Sequence, residues 1–275
     1  MSVHGRQATM SDEPLLLERV GSVASLTLNR PTAGNSINLD LARSLMEASI
    51  TCDDDNRIKC VVLTGAGKLF CGGGDVAEFA EAGSRLPALL RELLCCLHAA
   101  VIRLAHMNKP LVTVINGPAA GAGFSLAILG DIALAARSAH FTLAYSSIGL
   151  SPDGGSTWML PRLIGLRRAQ ELSIMNKRLS AEEALQMGLV TRVIDEASLR
   201  DEAKVVASQL AVAATRALGR TRSLLLRSFE SSLDAQLDAE SQAIVESSGD
   251  AESREGLAAF LAKRKPNFEG SVNEN

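Results

Sequence analysis

The 275-residue chain is poor in aromatic side chains: one Trp, one Tyr and seven Phe make up 3% of it. That scarcity argues against a surface built to stack nucleic-acid bases, which needs aromatic platforms. Net charge is also small, with 28 basic against 31 acidic side chains and a formal balance of −3. No polyanionic partner is implied, and any phosphate contact must be local. The five cysteines (Cys52, Cys60, Cys71, Cys95 and Cys96) are odd in number and have no CxxC spacing. They read as reduced thiols of a cytoplasmic protein, with a vicinal Cys95–Cys96 disulfide as the alternative, and no metal site is expected. A secretory signal is missing, because residues 1–14 are polar and carry Asp12 and Glu13. The longest apolar stretch, residues 89–107, is interrupted by Arg91, Glu92, His98 and Arg103, so it reads as an amphipathic helix and no membrane span is expected.

What is present is an alternation of β-like runs, glycine turns and helical stretches. Residues 23–29 and 58–64 are rich in β-favouring side chains, and residues 111–115 and 131–136 repeat the pattern. Between them, Asp40 is placed to cap a helix reaching about Ser49, Asp75 to cap a short one, and residues 87–107 to form a long one. On that long helix Leu90, Leu94, Leu97, Val101 and Leu104 fall on one stripe. Strand, glycine turn, helix and next strand in repetition predict an α/β architecture. Residues 1–13 read as a disordered leader and residues 14–197 as the α/β core. Residues 198–275 carry helical patterns with few turn signals and read as a helical C-terminal region of two to four helices.

Two glycine loops follow predicted strands, which raises the question of phosphate binding. Residues 65–68 end like a Walker A loop, but the upstream glycine position is Val62 and Leu69 stands in place of the metal-binding Ser or Thr. Residues 121–123 begin like GxGxxG, but the third glycine position is Leu126. Both nucleotide readings fail. Two readings remain: ordinary tight turns, or turns that present unpaired backbone N–H groups to a developing negative charge. The run GFSLA at residues 123–127 resembles a nucleophile elbow without its last glycine, but only His140 follows Ser125 as a candidate base. A serine hydrolase is therefore a weak rival.

The segment GAGKLFCGGGDVAEF at residues 65–79 resembles the first signature of the enoyl-CoA hydratase/isomerase (crotonase) family, and NGPAAGAGFSLA at 116–127 the second. Arg30-Pro31, Asn35 and Leu41 resemble its opening motif, and FLAKRKPNF at 260–268 its C-terminal signature. The resemblance runs over residues 15–268, in order. It implies a right-handed spiral of ββα units followed by a helical trimerisation region, in a homotrimer or a dimer of trimers. It also implies an acyl-CoA thioester substrate and no cofactor, coenzyme A being part of that substrate. The thioester oxygen would be held by the backbone amides of Gly72 and Ala122. Gly73, Gly74 and Asp75 complete the turn against the ligand, with Asp75 also capping the helix that follows. Relatives commonly have alanine or serine at the first amide position and glycine at the second; here the sizes are reversed, which a backbone donor tolerates.

Hydratases of this family hold water between two glutamates, whose positions here are Ser125 and Tyr145. One carboxylate remains in the right stretch, Asp153 in IGLSPDGGSTW at residues 148–158. Isomerases and dehalogenases of the family place an aspartate there, and residues 149–165 resemble the phenylacetate-degradation isomerases most. Pro-Asp-Gly is also an ordinary turn in which the aspartate caps the next helix. The combination implies an enoyl-CoA double-bond isomerase with Asp153 as its base, in a low-polarity pocket lined by residues such as Leu150 and Trp158 that would raise its pKa. The alternatives are hydration of a 2-enoyl-CoA and a non-catalytic relative. Arg162 reads as an ion-pair partner, and His98, His106 and His140 as packing or surface residues. Lys263, Arg264 and Lys265 are either a solvated helix end or a contact for coenzyme A phosphates.

Overall fold

A computed structural model describes residues 13–268, so the leader expected over residues 1–13 lies, except for Glu13, outside the described residues. The chain opens with a hairpin, β1 (Leu15–Val20) and β2 (Val23–Leu28), turned at Gly21 with φ 59°. Strand β1 has no counterpart among the expected strands. Only Leu15 of this strand is buried, so period-two patterning is absent.

Next come α1 (Leu39–Asp54), β3 (Cys60–Gly65), α2 (Val76–Ala82), α3 (Leu86–His106) and β4 (Leu111–Ile115). Helix α1 is capped by Asn38, whose side chain accepts from the Leu41 N–H. Asp40, the expected cap, lies inside the first turn, where its charge complements the helix dipole. Helix α3 buries Leu93, Leu97, Ala100, Val101 and Leu104, while Leu90 and Leu94 of the expected stripe are half-buried against the core.

The spiral is then easy to follow. Short β5 (Ala119–Ala120) leads into α4 (Ala122–Ala127), and β6 (Ile132–Ala136) into β7 (His140–Thr142). Helices α5 (Ser156–Ile164) and α6 (Leu166–Ile174) precede β8 (Leu179–Ser180), α7 (Ala181–Met187) and β9 (Arg192–Ile194). Each turn adds one strand to a six-stranded sheet in the order β1-β2-β3-β4-β6-β9, parallel from β2 onward. It also adds a short stretch to a second sheet, β5-β7-β8, before a helix covers the step. Isolated pairings Cys71↔Ala119 and Ile37↔Gly74 continue that second sheet toward the first turn of the spiral.

Helix α8 (Glu196–Ala211) follows, then α9 (Thr215–Arg227), α10 (Leu233–Gly249) and α11 (Ala251–Leu261). The helical C-terminal region is expected from residue 198. By packing, α8 belongs with the core, where it buries Leu199, Ala203, Val206, Ala207 and Ala211. The thinly buried helices begin at α9. That helix is fastened through Arg222, whose Nε donates to Asp131 at 2.7 Å and whose Nη groups donate to the carbonyls of Leu104, Met107 and Lys109. Among the described residues, no helix is long and apolar enough to cross a membrane.

Candidate active site

The two glycine turns lie side by side. Phe70 and Cys71 N–H both donate to Pro118 O, at 3.1 and 3.2 Å, and Ala120 N–H donates to Cys71 O at 2.9 Å. So close an approach leaves no room for a side chain. A Cβ at Gly123 would lie 2.3 Å from Cys71 O, and one at Gly73, where φ is 100°, would lie 2.9 Å from Ala120 O. Buried Asn35 braces the first turn, donating to the carbonyls of Ala66 and Leu69 at 2.9 and 2.8 Å while accepting from Arg30 N–H at 2.9 Å. Asp75 caps α2 by accepting from Glu78 N–H at 3.3 Å and pairs with Arg30 at 2.9 Å.

The two amides expected to face the ligand differ. Ala122 opens α4, and its N–H has no acceptor among the described residues. The Gly72 N–H is not free: it donates to Gly34 O at 2.9 Å. The cause is a short parallel ladder in which Ile37 N–H also donates to Gly73 O and Asp75 N–H to Ile37 O, at 2.7 and 3.0 Å. The expectation of two unpaired donors is corrected accordingly: one is open, and the other has a backbone partner that an incoming oxygen must share or displace.

Asp153 sits in the turn before α5, held from three other elements. Its Oδ1 accepts from Tyr145 Oη at 2.6 Å, and its main-chain oxygen accepts from Ser125 Oγ at 2.9 Å. The next residue, Gly154, donates its N–H to Nε2 of His98 on α3 at 3.2 Å. Ser125 and Tyr145, the two positions without a glutamate, thus converge on Asp153, Tyr145 at its carboxyl and Ser125 at its main-chain oxygen. The cap of α5 is Gly155, with no side-chain cap, so the Asp153 carboxyl does not serve as a helix cap. Burial raises the pKa of Asp153 above the usual carboxylate value, opposed by the Tyr145 hydrogen bond and by nearby His98. Tyr145 is itself raised well above an ordinary phenol, by burial and then by the Asp153 charge. Helix α4 links the two halves of the site. Ala122 opens it and Ser125 follows three residues on, a rise of about 4.5 Å along the axis.

Several other expectations need revision. His98 is not merely a packing residue, since its ring holds the Asp153 turn. The available signal was its position three residues before buried Val101 on α3, but the partner is 56 residues away in sequence. The Trp158 ring does not form a bare apolar wall: Arg162 stacks on it at 3.9 Å, and its Nε1 donates to Glu230 at 3.2 Å. Arg162 also reaches Glu230 at 3.8 Å. Arg264 pairs with Glu255 at 2.6 Å. The Ser125 hydroxyl is bonded to a main-chain oxygen rather than to a histidine, which removes support for a serine nucleophile. Two open clefts, lined by Arg30, Arg43 and Glu47 and by Lys59, Arg216 and Arg220, include none of Gly72, Ala122 or Asp153.

A two-sheet spiral that joins paired glycine turns, through α4, to the turn carrying a buried carboxyl is the frame of an acyl-coenzyme A enzyme. The chain belongs to the enoyl-CoA hydratase/isomerase family, whose profile matches residues 18–271. It is 41% identical over 249 residues to a 1,2-epoxyphenylacetyl-CoA isomerase of Escherichia coli, covering 90% of this chain and 95% of that one. It is 32% identical to a 4-chlorobenzoyl coenzyme A dehalogenase of an Arthrobacter species, with 92% of each covered. A solved enoyl-CoA hydratase from Polaromonas sp. JS666 superposes with a TM-score of 0.88 at 33% identity, covering 92% of this chain and 98% of the other.

Proposed function

We propose that the protein is an enoyl-CoA double-bond isomerase in which Asp153 is the single proton-transferring carboxylate. The observation that carries this reading is the convergence of Ser125 and Tyr145 on Asp153, which leaves one acid/base carboxylate where hydration uses two. Asp153 removes a proton from C2 of a 3-enoyl thioester, and the electron pair moves into the carbonyl. The oxyanion is held by the Ala122 amide and, on leaving Gly34, by the Gly72 amide, beside the turn of Gly73, Gly74 and Asp75. Asp153 then returns the proton at C4, so no bound water and no cofactor beyond the substrate's own coenzyme A are required. The resemblance to an epoxyphenylacetyl-CoA isomerase adds ring-derived acyl groups to the substrates worth testing.

Hydration of a 2-enoyl-CoA is the second reading, favoured by His98, which stands beside Asp153 as another group able to exchange a proton. The deciding experiment supplies 3-enoyl-CoA and 2-enoyl-CoA thioesters separately. Growth of conjugated-thioester absorbance from the first supports isomerisation; its loss from the second supports hydration. Asp153→Asn abolishes the isomerase signal and keeps ester binding, whereas full activity in that variant refutes the assignment.

A homotrimer or paired trimer fits the exposed apolar residues of α9–α11 and the turn between α9 and α10, including Leu225, Phe229, Leu233, Ile244 and Phe260, each at least 64% exposed. Solution mass measurement checks it, and a strict monomer counts against it. Five unpaired cysteines support a cytoplasmic location.

A further inference from the structure

Tyr145, the chain's one tyrosine, is aimed inward by an unusual backbone. The preceding residue, Ala144, has φ 60°, a left-handed conformation that alanine adopts only when its surroundings impose it. The constraint comes from Asn176, itself at φ 51°. Its Oδ1 accepts from Ala144 N–H at 2.6 Å and its Nδ2 donates to Ser147 Oγ at 2.5 Å. The tyrosine is left 8% exposed, with its hydroxyl 2.6 Å from Asp153 Oδ1. A phenol has one proton to donate, and this one goes to the carboxylate. Among the described residues no donor is bonded to Oδ2.

We propose that Tyr145 is a positioning residue for the base: it holds Oδ1 in place, leaves Oδ2 as the oxygen that carries the proton, and keeps the buried carboxylate ionised. This rests on Asp153 being the base. A buried carboxylate favours its neutral form unless a donor stabilises the charge, and a short hydrogen bond to the ionised form supplies that stabilisation. The raised pKa of Asp153 would rise further without it. The other group facing Asp153 is His98 from α3; Ser125 from α4 is uncharged and bonds the main-chain oxygen.

The test is the pH dependence of kcat/KM for Tyr145→Phe, which keeps the ring that fills the site. The acid limb moves to higher pH, and kcat/KM on the acid side falls about tenfold, as expected for loss of a hydrogen bond to a charged acceptor. KM stays within about twofold, because the group lost acts on the base rather than on ester binding. Repeating the comparison in a His98→Asn background shows that the movement of the limb does not depend on the imidazole. Replacing Tyr145 with 3-fluorotyrosine, a more acidic donor, keeps activity and moves the limb below that of the unmodified enzyme. If Tyr145→Phe folds and its limb coincides with that of the unmodified enzyme, the proposal is overturned. If it does not fold, an unmoved limb in the fluorotyrosine enzyme overturns it equally. Asp153→Asn separates the two levels. Activity in that variant removes the base assignment itself, while its loss beside an unmoved Tyr145→Phe limb removes only the role given to Tyr145.

Discussion

Ser125 Oγ donates to the main-chain oxygen of Asp153 at 2.9 Å, joining α4 to the turn before α5 across 28 residues of sequence. The bond reaches the backbone, so it fixes where the carboxylate starts and acts on its charge only through Tyr145, which the same hydroxyl also influences. Ser125→Ala therefore lowers kcat several-fold, costs about 1 kcal/mol of stability, and moves the pH profile less than Tyr145→Phe does. A shift as large as that of Tyr145→Phe would show that the hydroxyl acts on the carboxylate directly.

Ala122 opens α4, and a proline at the first helical position keeps the helix while deleting the N–H. Ala122→Pro should lower the rate on the order of 10²-fold with little change in circular dichroism. Rates within a factor of two would mean that the oxyanion is not held there.

Asp153 has a pKa raised by burial, which gives two predictions of opposite sense. Activity needs the ionised form, so kcat/KM falls as pH drops through a value above the ordinary carboxylate range of about 4. Stability runs the other way. Burial favours the neutral acid more in the folded state than in the unfolded chain, so this group's contribution is largest at low pH and is lost as pH rises through the folded pKa. Asp153→Asn is then inactive yet melts higher than the parent at pH 7. A lower melting temperature there would contradict the burial argument.

Arg222 is 9% exposed, pairs with Asp131 and donates to three main-chain carbonyls. Arg222→Met leaves Asp131, itself one-third exposed, without its partner. A cost of about 3 kcal/mol is expected in chemical denaturation. A loss below about 1 kcal/mol would mean that α9 is held mainly by other contacts.

Local patterning carried much of the fold. Residues 111–115 read as a strand and form β4, and Asp75 read as a cap and is one. Both depend on neighbours a few residues away. Two features were not legible locally. Edge strand β1 has no buried alternating face, so periodicity could not find it, and α8 looked like the helices after it although it covers the sheet. At the site, the glycine turns were legible because strand and helix signals bracket them. The partners of Gly72 and His98 were not, since Gly34 and Gly154 meet them only through the winding of the spiral. Whether Asp153 caps a helix was likewise open until Gly155 proved to be the cap.

The bond from Gly72 to Gly34 gives the proposed reaction a built-in preference for charge over shape. A neutral thioester oxygen offers this amide an acceptor no better than the one it already has, so the resting substrate draws little from it. An enolate oxygen is a stronger acceptor by roughly 1 kcal/mol or more, enough to win the exchange. The amide would then be recruited as the proton leaves C2 rather than when the ester docks. Its contribution would fall on the barrier instead of on the bound complex, which is where binding energy accelerates a reaction.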